Sequence, residues 1–130
     1  AAAIYGLKIL KKEIQDSAEN TTRFLVWSRE HHLPPAGSKE MLITSFMFRV
    51  RNIPAALYKA LGGFATNGVN ITKLESYVDE KFQVAQFLCD IEGHPDDRLV
   101  KLALEELAFF AEEVRMLGTY AAHPFRLKKK

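Results

Sequence analysis

The stretch Asn52-Ile53-Pro54-Ala55-Ala56-Leu57 carries an arrangement suited to binding an anion. Pro54 has the fixed φ of a helix's first turn and lacks an N–H that would be orphaned there. The other N–H groups at such an opening have no partner within the helix, so they form a seat for a carboxylate. A second polar cluster, Asn20-Thr21-Thr22-Arg23-Phe24, reads by itself as a polar turn entering a strand. The four histidines are poorly placed for a metal. His31 and His32 are adjacent, while His94 and His123 lie far along the chain, with no i, i+4 pair and no cysteine beside them. The single cysteine, Cys89, sits in an alternating apolar run and reads as a small buried hydrophobe of a reducing compartment.

These groups need elements to hold them. Leu57, Leu61, Phe64 and Ala65 recur at i, i+4, i+7 and i+8, which predicts a helix over 54–66. Asn67-Gly68 stops it, because both residues tolerate left-handed backbone. Gly62 and Gly63 inside the pattern predict that something packs close to that backbone. Residues 41–51 alternate, with Thr44, Phe46, Phe48 and Val50 on one face and Ile43, Ser45, Met47 and Arg49 on the other. Further strands are predicted over 69–78, 82–92 and 113–120, with a hairpin turn at 79–81. Asp96 and Asp97 suit the positive end of a second helix, whose core stripe is Leu99, Ala103, Leu107 and Phe110. The result is an α+β, ferredoxin-like βαββαβ unit: a four-stranded antiparallel sheet with both helices on one face. Ile43 and Met47 on the other face hint at a partner surface.

The first forty residues read differently. Residues 1–16 show one apolar face (Ile4, Leu7, Leu10, Ile14) and predict a helix; 17–22 is a polar break; 23–28 reads as a strand. A lone strand leaves its ladder groups unpaired, so this segment is expected to be the end of something larger. Residues 30–40, with Pro34-Pro35 and Gly37, have linker composition.

Composition sets outer bounds. A chain of 130 residues, 48% hydrophobic and 26% charged, fits one ordinary domain or a small domain plus part of another. A net charge of +2 makes no electrostatic case for nucleic acid, and Lys128-Lys129-Lys130 reads as a solvated tail. No apolar run approaches the ~20 residues of a membrane span and no signal peptide is visible, so a cytoplasmic protein without a membrane partner is expected.

Asn-Ile-Pro-Ala-Ala-Leu at 52–57 followed by Asn-Ile-Thr-Lys-Leu-Glu-Ser at 70–76 resembles the ACT regulatory domain of the prephenate dehydratase family, enzymes of phenylalanine biosynthesis. That family carries Gly-Ala-Leu-Val in the first turn and Glu-Ser-Arg-Pro on the next strand. The counterparts here are Ala55-Ala56-Leu57-Tyr58 and Glu75-Ser76-Tyr77-Val78. Tyr5-Gly6-Leu7, Ile14-Gln15-Asp16, Asn20 and Thr22-Arg23-Phe24 resemble the close of its catalytic domain. Leu117-Gly118-Thr119-Tyr120 with Ala122-His123-Pro124-Phe125-Arg126 resembles the end of its single-function bacterial members.

The resemblance implies a division into a catalytic-domain segment (1–28), a linker (29–40), an ACT domain (41–120) and a tail (121–130). It implies a carbon–oxygen lyase that needs no metal or organic cofactor, with Thr22 as the catalytic hydroxyl and Arg23, Phe24 and Asn20 supporting it. The 130 residues alone should not turn over prephenate. It also implies an L-phenylalanine site between two ACT domains, with Asn52, Ala55, Ala56 and Leu57 on one side and Asn70, Thr72, Glu75 and Ser76 on the other. The chain is then a homodimer or higher homo-oligomer under feedback control by phenylalanine. Two other readings stay open: an ACT-type dimerisation module without ligand, and a βαββαβ RNA-binding module. The second lacks the basic, glycine and aromatic run in its third strand that base stacking needs.

Overall fold

In the computed structural model, which describes residues 1–17, 22–30, 32–78 and 85–127, the alternating runs become one antiparallel sheet. In chain order the elements are α1 (Ala2–Tyr5), β1 (Leu42–Val50), α2 (Ala56–Thr66), β2 (Ile71–Val78), β3 (Ala85–Glu92), α3 (Arg98–Phe110), β4 (Ala111–Ala121) and α4 (Pro124–Leu127). The strands lie in the order β2-β3-β1-β4, the ferredoxin-like arrangement. β1 is central, pairing Ser45 with Asp90 of β3 and with Gly118 of β4.

One face of the sheet and the two long helices enclose the core: Phe46, Phe48, Phe87, Cys89 and Ile91 from the strands, Ala60 and Phe64 from α2, Val100, Ala103 and Leu107 from α3. The rings of Phe46 and Phe64 stack at 5.9 Å, those of Phe48 and Phe87 at 5.1 Å. Burying such a side chain stabilises by about 1.5–3 kcal/mol, so this cluster carries most of the fold. Thr44, on the same face of β1, donates its hydroxyl to the Gly93 carbonyl at 2.7 Å and shares a hydrogen bond with Thr119.

Several expectations need correction. Only Ala2–Tyr5 is helical within the helix expected over 1–16, and Leu10 is 92% exposed. Its apolar stripe has nothing to pack against, and a short helix without packing is marginal in water. Residues 23–28 pair with no strand among the described residues, and Val26 is 99% exposed. The α3 stripe starts at Val100, with Leu99 53% exposed, because 100, 103 and 107 fall on the buried side. Ile43, expected on a partner surface, is buried on the central strand.

Of the two glycines, Gly63 alone meets a close neighbour: a Cβ there would lie 2.8 Å from the Cβ of Glu106 on α3, whereas one on Gly62 would meet open space. At the helix end Gly68 takes the left-handed conformation, while Asn67 caps with its side chain, donating to the Gly63 carbonyl at 2.8 Å. The tail is not featureless, since β4 runs to Ala121 and α4 follows. The turn expected at 79–81 lies outside the described residues.

Candidate functional site

The face of the sheet opposite the helices carries a polar centre. Ser45 on β1 and Asp90 on β3 stand directly across from one another, and Tyr120 of β4 reaches the same point. Ser45 donates to Asp90 Oδ1 at 2.6 Å, and the Ser45 and Tyr120 hydroxyls are 3.1 Å apart. Arg23, from the segment crossing this face, donates through Nη1 to Asp90 Oδ2 at 2.6 Å and through Nη2 to the Tyr120 hydroxyl at 2.7 Å.

The donor inventory fixes the direction of every bond. A guanidinium has no acceptor and the Ser45 proton points at Asp90, so Tyr120 must donate to Ser45. The four groups close a ring: Arg23 to Tyr120, Tyr120 to Ser45, Ser45 to Asp90, with Arg23 also on Asp90. Asp90 is 1% exposed while the Arg23 side chain keeps 35%, so the ring joins a buried carboxylate to a half-open cation. The hydrogen bond to Asp90 raises the Arg23 pKa above its ordinary value, and burial works against it. A buried carboxylate needs such a partner, since one left unpaired costs several kcal/mol.

Thr22 and Phe24 flank Arg23 and line a half-open cavity of about 1600 Å³ between this segment and the sheet. Trp27, Met47, Leu88 and Phe125 line it too, giving a mainly apolar wall around the polar ring. Of the four residues assigned to catalysis, Thr22, Arg23 and Phe24 thus sit over the outer face of the sheet; Asn20 lies outside the described residues.

The second set of residues is spread over the domain. Asn52 and Ala55 are exposed in the turn after β1, Ala56 is buried, and Leu57 packs partly against the core. The helix begins at Ala56 and not at Pro54, because Ala55 takes a left-handed conformation (φ 57°, ψ 30°) that breaks helical continuity. Such a backbone suits glycine and costs alanine roughly 1–2 kcal/mol. On β2, Glu75 is held between its same-face neighbours: Lys73 Nζ at 3.1 Å and the Tyr77 hydroxyl, which donates at 2.9 Å. Those two contacts, the hydroxyl first, hold the Glu75 carboxyl below its ordinary pKa. Thr72 donates to the Asp90 carbonyl at 3.3 Å and accepts from Arg126 of α4 at 3.0 Å. Ser76, one residue from Glu75, belongs to the opposite face of an exposed strand.

Pairing of Arg49 with Gln86, and of Gln86 with Tyr77, puts the Asn52 turn at the Tyr77 end of β2. Asn70, before Ile71, is at the other end, roughly 20 Å along the strand. Within one copy, Asn70 and Thr72 therefore lie toward the far end of β2 from the Asn52 turn, while Glu75 and Ser76 are next to Tyr77 at the near end.

Two further residues have clear structural work. His94 is buried, with Nε2 3.0 Å from the Pro34 carbonyl and Nδ1 3.1 Å from the Asp96 N–H. An N–H can only donate, so Nδ1 accepts and Nε2 carries the proton toward Pro34, pinning 32–40 to the turn before α3. Asp97 stands at the N-cap of α3, as expected, and its side chain accepts from the His94 N–H at 2.8 Å. Burial pushes the Cys89 thiol up to about 12. Among the described residues, no group of three His, Cys, Asp or Glu side chains could hold a metal ion. No described helix is long and apolar enough to cross a membrane.

No site role is assigned to Ser45, Asp90, Tyr120 or His94 by the sequence. The one available signal was Asp90, a charge among β-forming residues on the face opposite Phe87, Cys89 and Ile91.

Fold and site define a ferredoxin-like sheet domain with an N-terminal segment bound to its open face. Comparison with known proteins shows what this chain is similar to. The prephenate dehydratase family model matches residues 1–32. The chain is 52% identical over 130 residues to a bifunctional N-acyl-homoserine lactone acylase/prephenate dehydratase of Komagataeibacter europaeus, an alignment covering 98% of this chain and 46% of that protein. It is 43% identical over 121 residues to a bifunctional chorismate mutase/prephenate dehydratase of Aquifex aeolicus, covering 92% of this chain and 32% of the other. Among solved structures, the prephenate dehydratase of Arthrobacter aurescens in complex with L-Phe superposes with a TM-score of 0.63 at 31% identity, over 73% of this chain and 31% of that one. The chain is similar to the C-terminal part of these prephenate dehydratases. It spans about a third to a half of the lengths of these curated relatives.

Proposed function

We propose that this chain is the C-terminal portion of a prephenate dehydratase. In this reading residues 1–28 close the catalytic domain, 29–40 link it, 41–120 form an ACT domain that senses L-phenylalanine, and 121–130 are a tail. The observation that carries it is the left-handed turn at Ala55, where the family motif has glycine: the turn keeps glycine geometry although the residue is alanine. The helix opening that follows it offers backbone N–H groups to a carboxylate.

The ligand's carboxylate meets the backbone N–H groups at the start of α2, its ammonium meets Asn52, and its ring lies against apolar wall. Asn70, Thr72, Glu75 and Ser76 come from the second copy of a homodimer, which suits the separation of Asn70 and Thr72 from Asn52 within one chain. A two-fold pair then makes two equal sites.

For chemistry, prephenate loses its ring hydroxyl and carboxylate as the ring aromatises. Thr22 hydrogen-bonds the departing oxygen in a water-poor cavity, while Arg23 and Phe24 shape that side of the site. Other carboxylate-binding groups are required, so the 130 residues alone are not expected to turn over prephenate.

Calorimetry of the chain with L-phenylalanine, alongside light scattering, tests the reading. Binding with a dimer or larger mass is expected, and Asn52→Ala should weaken binding at least about tenfold, or ~1.4 kcal/mol. No heat at millimolar phenylalanine would leave the dimerisation module without ligand as the better description.

A second reading follows from the Komagataeibacter relative, whose name adds an N-acyl-homoserine lactone acylase. The apolar cavity beside Trp27 and Leu88 has room for an acyl chain. Release of homoserine lactone by the purified chain would favour it.

A further inference from the structure

Asp90 has no part in the proposed chemistry, yet it is a buried carboxylate built into three strands. Ser45 across the ladder and Tyr120 on β4 orient it, and its one charged partner among the described residues is Arg23, 67 residues away in sequence. We infer that Ser45, Asp90 and Tyr120 form a receptor for the Arg23 guanidinium, which fixes Thr22-Arg23-Phe24 to the sensing sheet and carries ligand-driven shifts of that sheet to Thr22. The catalytic meaning of Thr22 rests on the function proposed above; the receptor itself does not.

Three observations support the receptor. The ring is fully directional, so it accepts a forked cation in one orientation and a single ammonium only in part. Residues 22–28 make no sheet pairing among the described residues, and Phe24 and Val26 are exposed, so Arg23 is the firm attachment of this segment to β1, β3 and β4. Asp90 is also in touch with the proposed ligand strand, for Thr72 donates to its carbonyl at 3.3 Å. A ligand that moves Thr72 acts on the residue that holds Arg23. Asp90 is thus a positioning residue, one bond from the element it positions.

Tryptic cleavage after Arg23 in the native 130-residue chain reads the receptor directly, because the protease must take the guanidinium into its own pocket. Cleavage after exposed Lys8 serves as internal reference. The Arg23 site should be cut at least about tenfold more slowly than Lys8, relative to the same two sites in urea. Asp90→Asn should remove most of that protection without changing Lys8, and Tyr120→Phe should remove part of it. Equal relative rates at the two sites in the native chain overturn the receptor, and this holds even where Asp90→Asn fails to fold. Saturating L-phenylalanine should change the Arg23 rate at least twofold in the native chain and leave Tyr120→Phe less responsive. If calorimetry shows phenylalanine bound and the Arg23 rate does not move, the relay is wrong. If phenylalanine does not bind, the functional reading fails while the protection at Arg23 still decides the receptor.

Discussion

Residues 42–121 and residues 1–30 are similarly rich in periodic apolar side chains, yet they meet opposite fates. In the first, Phe46, Phe64 and Leu107 are fully buried; in the second, Ile4, Leu10 and Val26 face solvent. Local pattern is not the difference. Each strand of the sheet has a neighbour to complete its ladder and a helix to cover its core face, and the described residues among the first thirty have neither. Periodicity states what an element would bury; a partner decides whether it does. Among the described residues, the charged bond that ties the N-terminal segment to the sheet is accordingly polar, an arginine on a buried carboxylate.

The largest test of that contrast is paired truncation. Phe64→Ala, which empties space against Phe46, should cost about 3–5 kcal/mol in urea unfolding. Val26→Ala should change stability by less than about 0.5 kcal/mol. A loss above ~1.5 kcal/mol for Val26→Ala would mean that the segment belongs to the same cooperative unit as the sheet.

The contrast recurs between neighbouring residues of α2. Gly63→Ala drives a Cβ into Glu106 and should cost about 1–3 kcal/mol. Gly62→Ala meets open space and should stabilise by up to ~1 kcal/mol, the difference in helix propensity. Equal effects at the two positions would show that α2 and α3 are not in close contact there.

These cases mark what the sequence made legible. Alternation and turn residues gave the four strands, both long helices and the fold class, with ends shifted by up to two residues among the described residues. The separate glycine roles were not legible, because only the placement of α3 distinguishes Gly62 from Gly63. Nor was the start of the α3 stripe, since Leu99 and Val100 each continue to Ala103 and Leu107 at helical spacing. The ring at Arg23 was half visible: Arg23 stood out by motif, but Ser45, Asp90 and Tyr120 meet only once three strands are in register. The left-handed turn was likewise hidden, as alanine gives no local signal for positive φ.

That turn gives a smaller prediction. Ala55→Gly removes the left-handed penalty on a β-carbon but adds freedom to the unfolded chain, two terms of similar size and opposite sign. A net gain of roughly 0.5–1 kcal/mol is expected from the denaturation midpoint. A loss of more than ~0.5 kcal/mol would show that Ala55 is not left-handed in solution, where glycine would only add disorder.

The smallest expected effect lies on the exposed edge strand, where a charge has partners but little burial. Glu75 is bonded by the Tyr77 hydroxyl and paired with Lys73, and its folded pKa is lowered below 4.5. A depressed carboxylate contributes stability that is present above its unfolded pKa and lost as pH falls through the folded value. Wild type should therefore exceed Glu75→Gln in urea midpoint near pH 6, and the gap should close as pH falls below about 4.5 toward 3. Tyr77 shares the same hydrogen bond and its pKa is raised above 10.0, so its contribution is kept below that pH and lost on the alkaline side. Solvent screens the pair, so about 0.5 M salt should narrow the gap at pH 6. If the gap instead widens toward acid, or ignores both pH and salt, Glu75 is not held by Lys73 and Tyr77, and its carboxylate is free to meet a ligand directly.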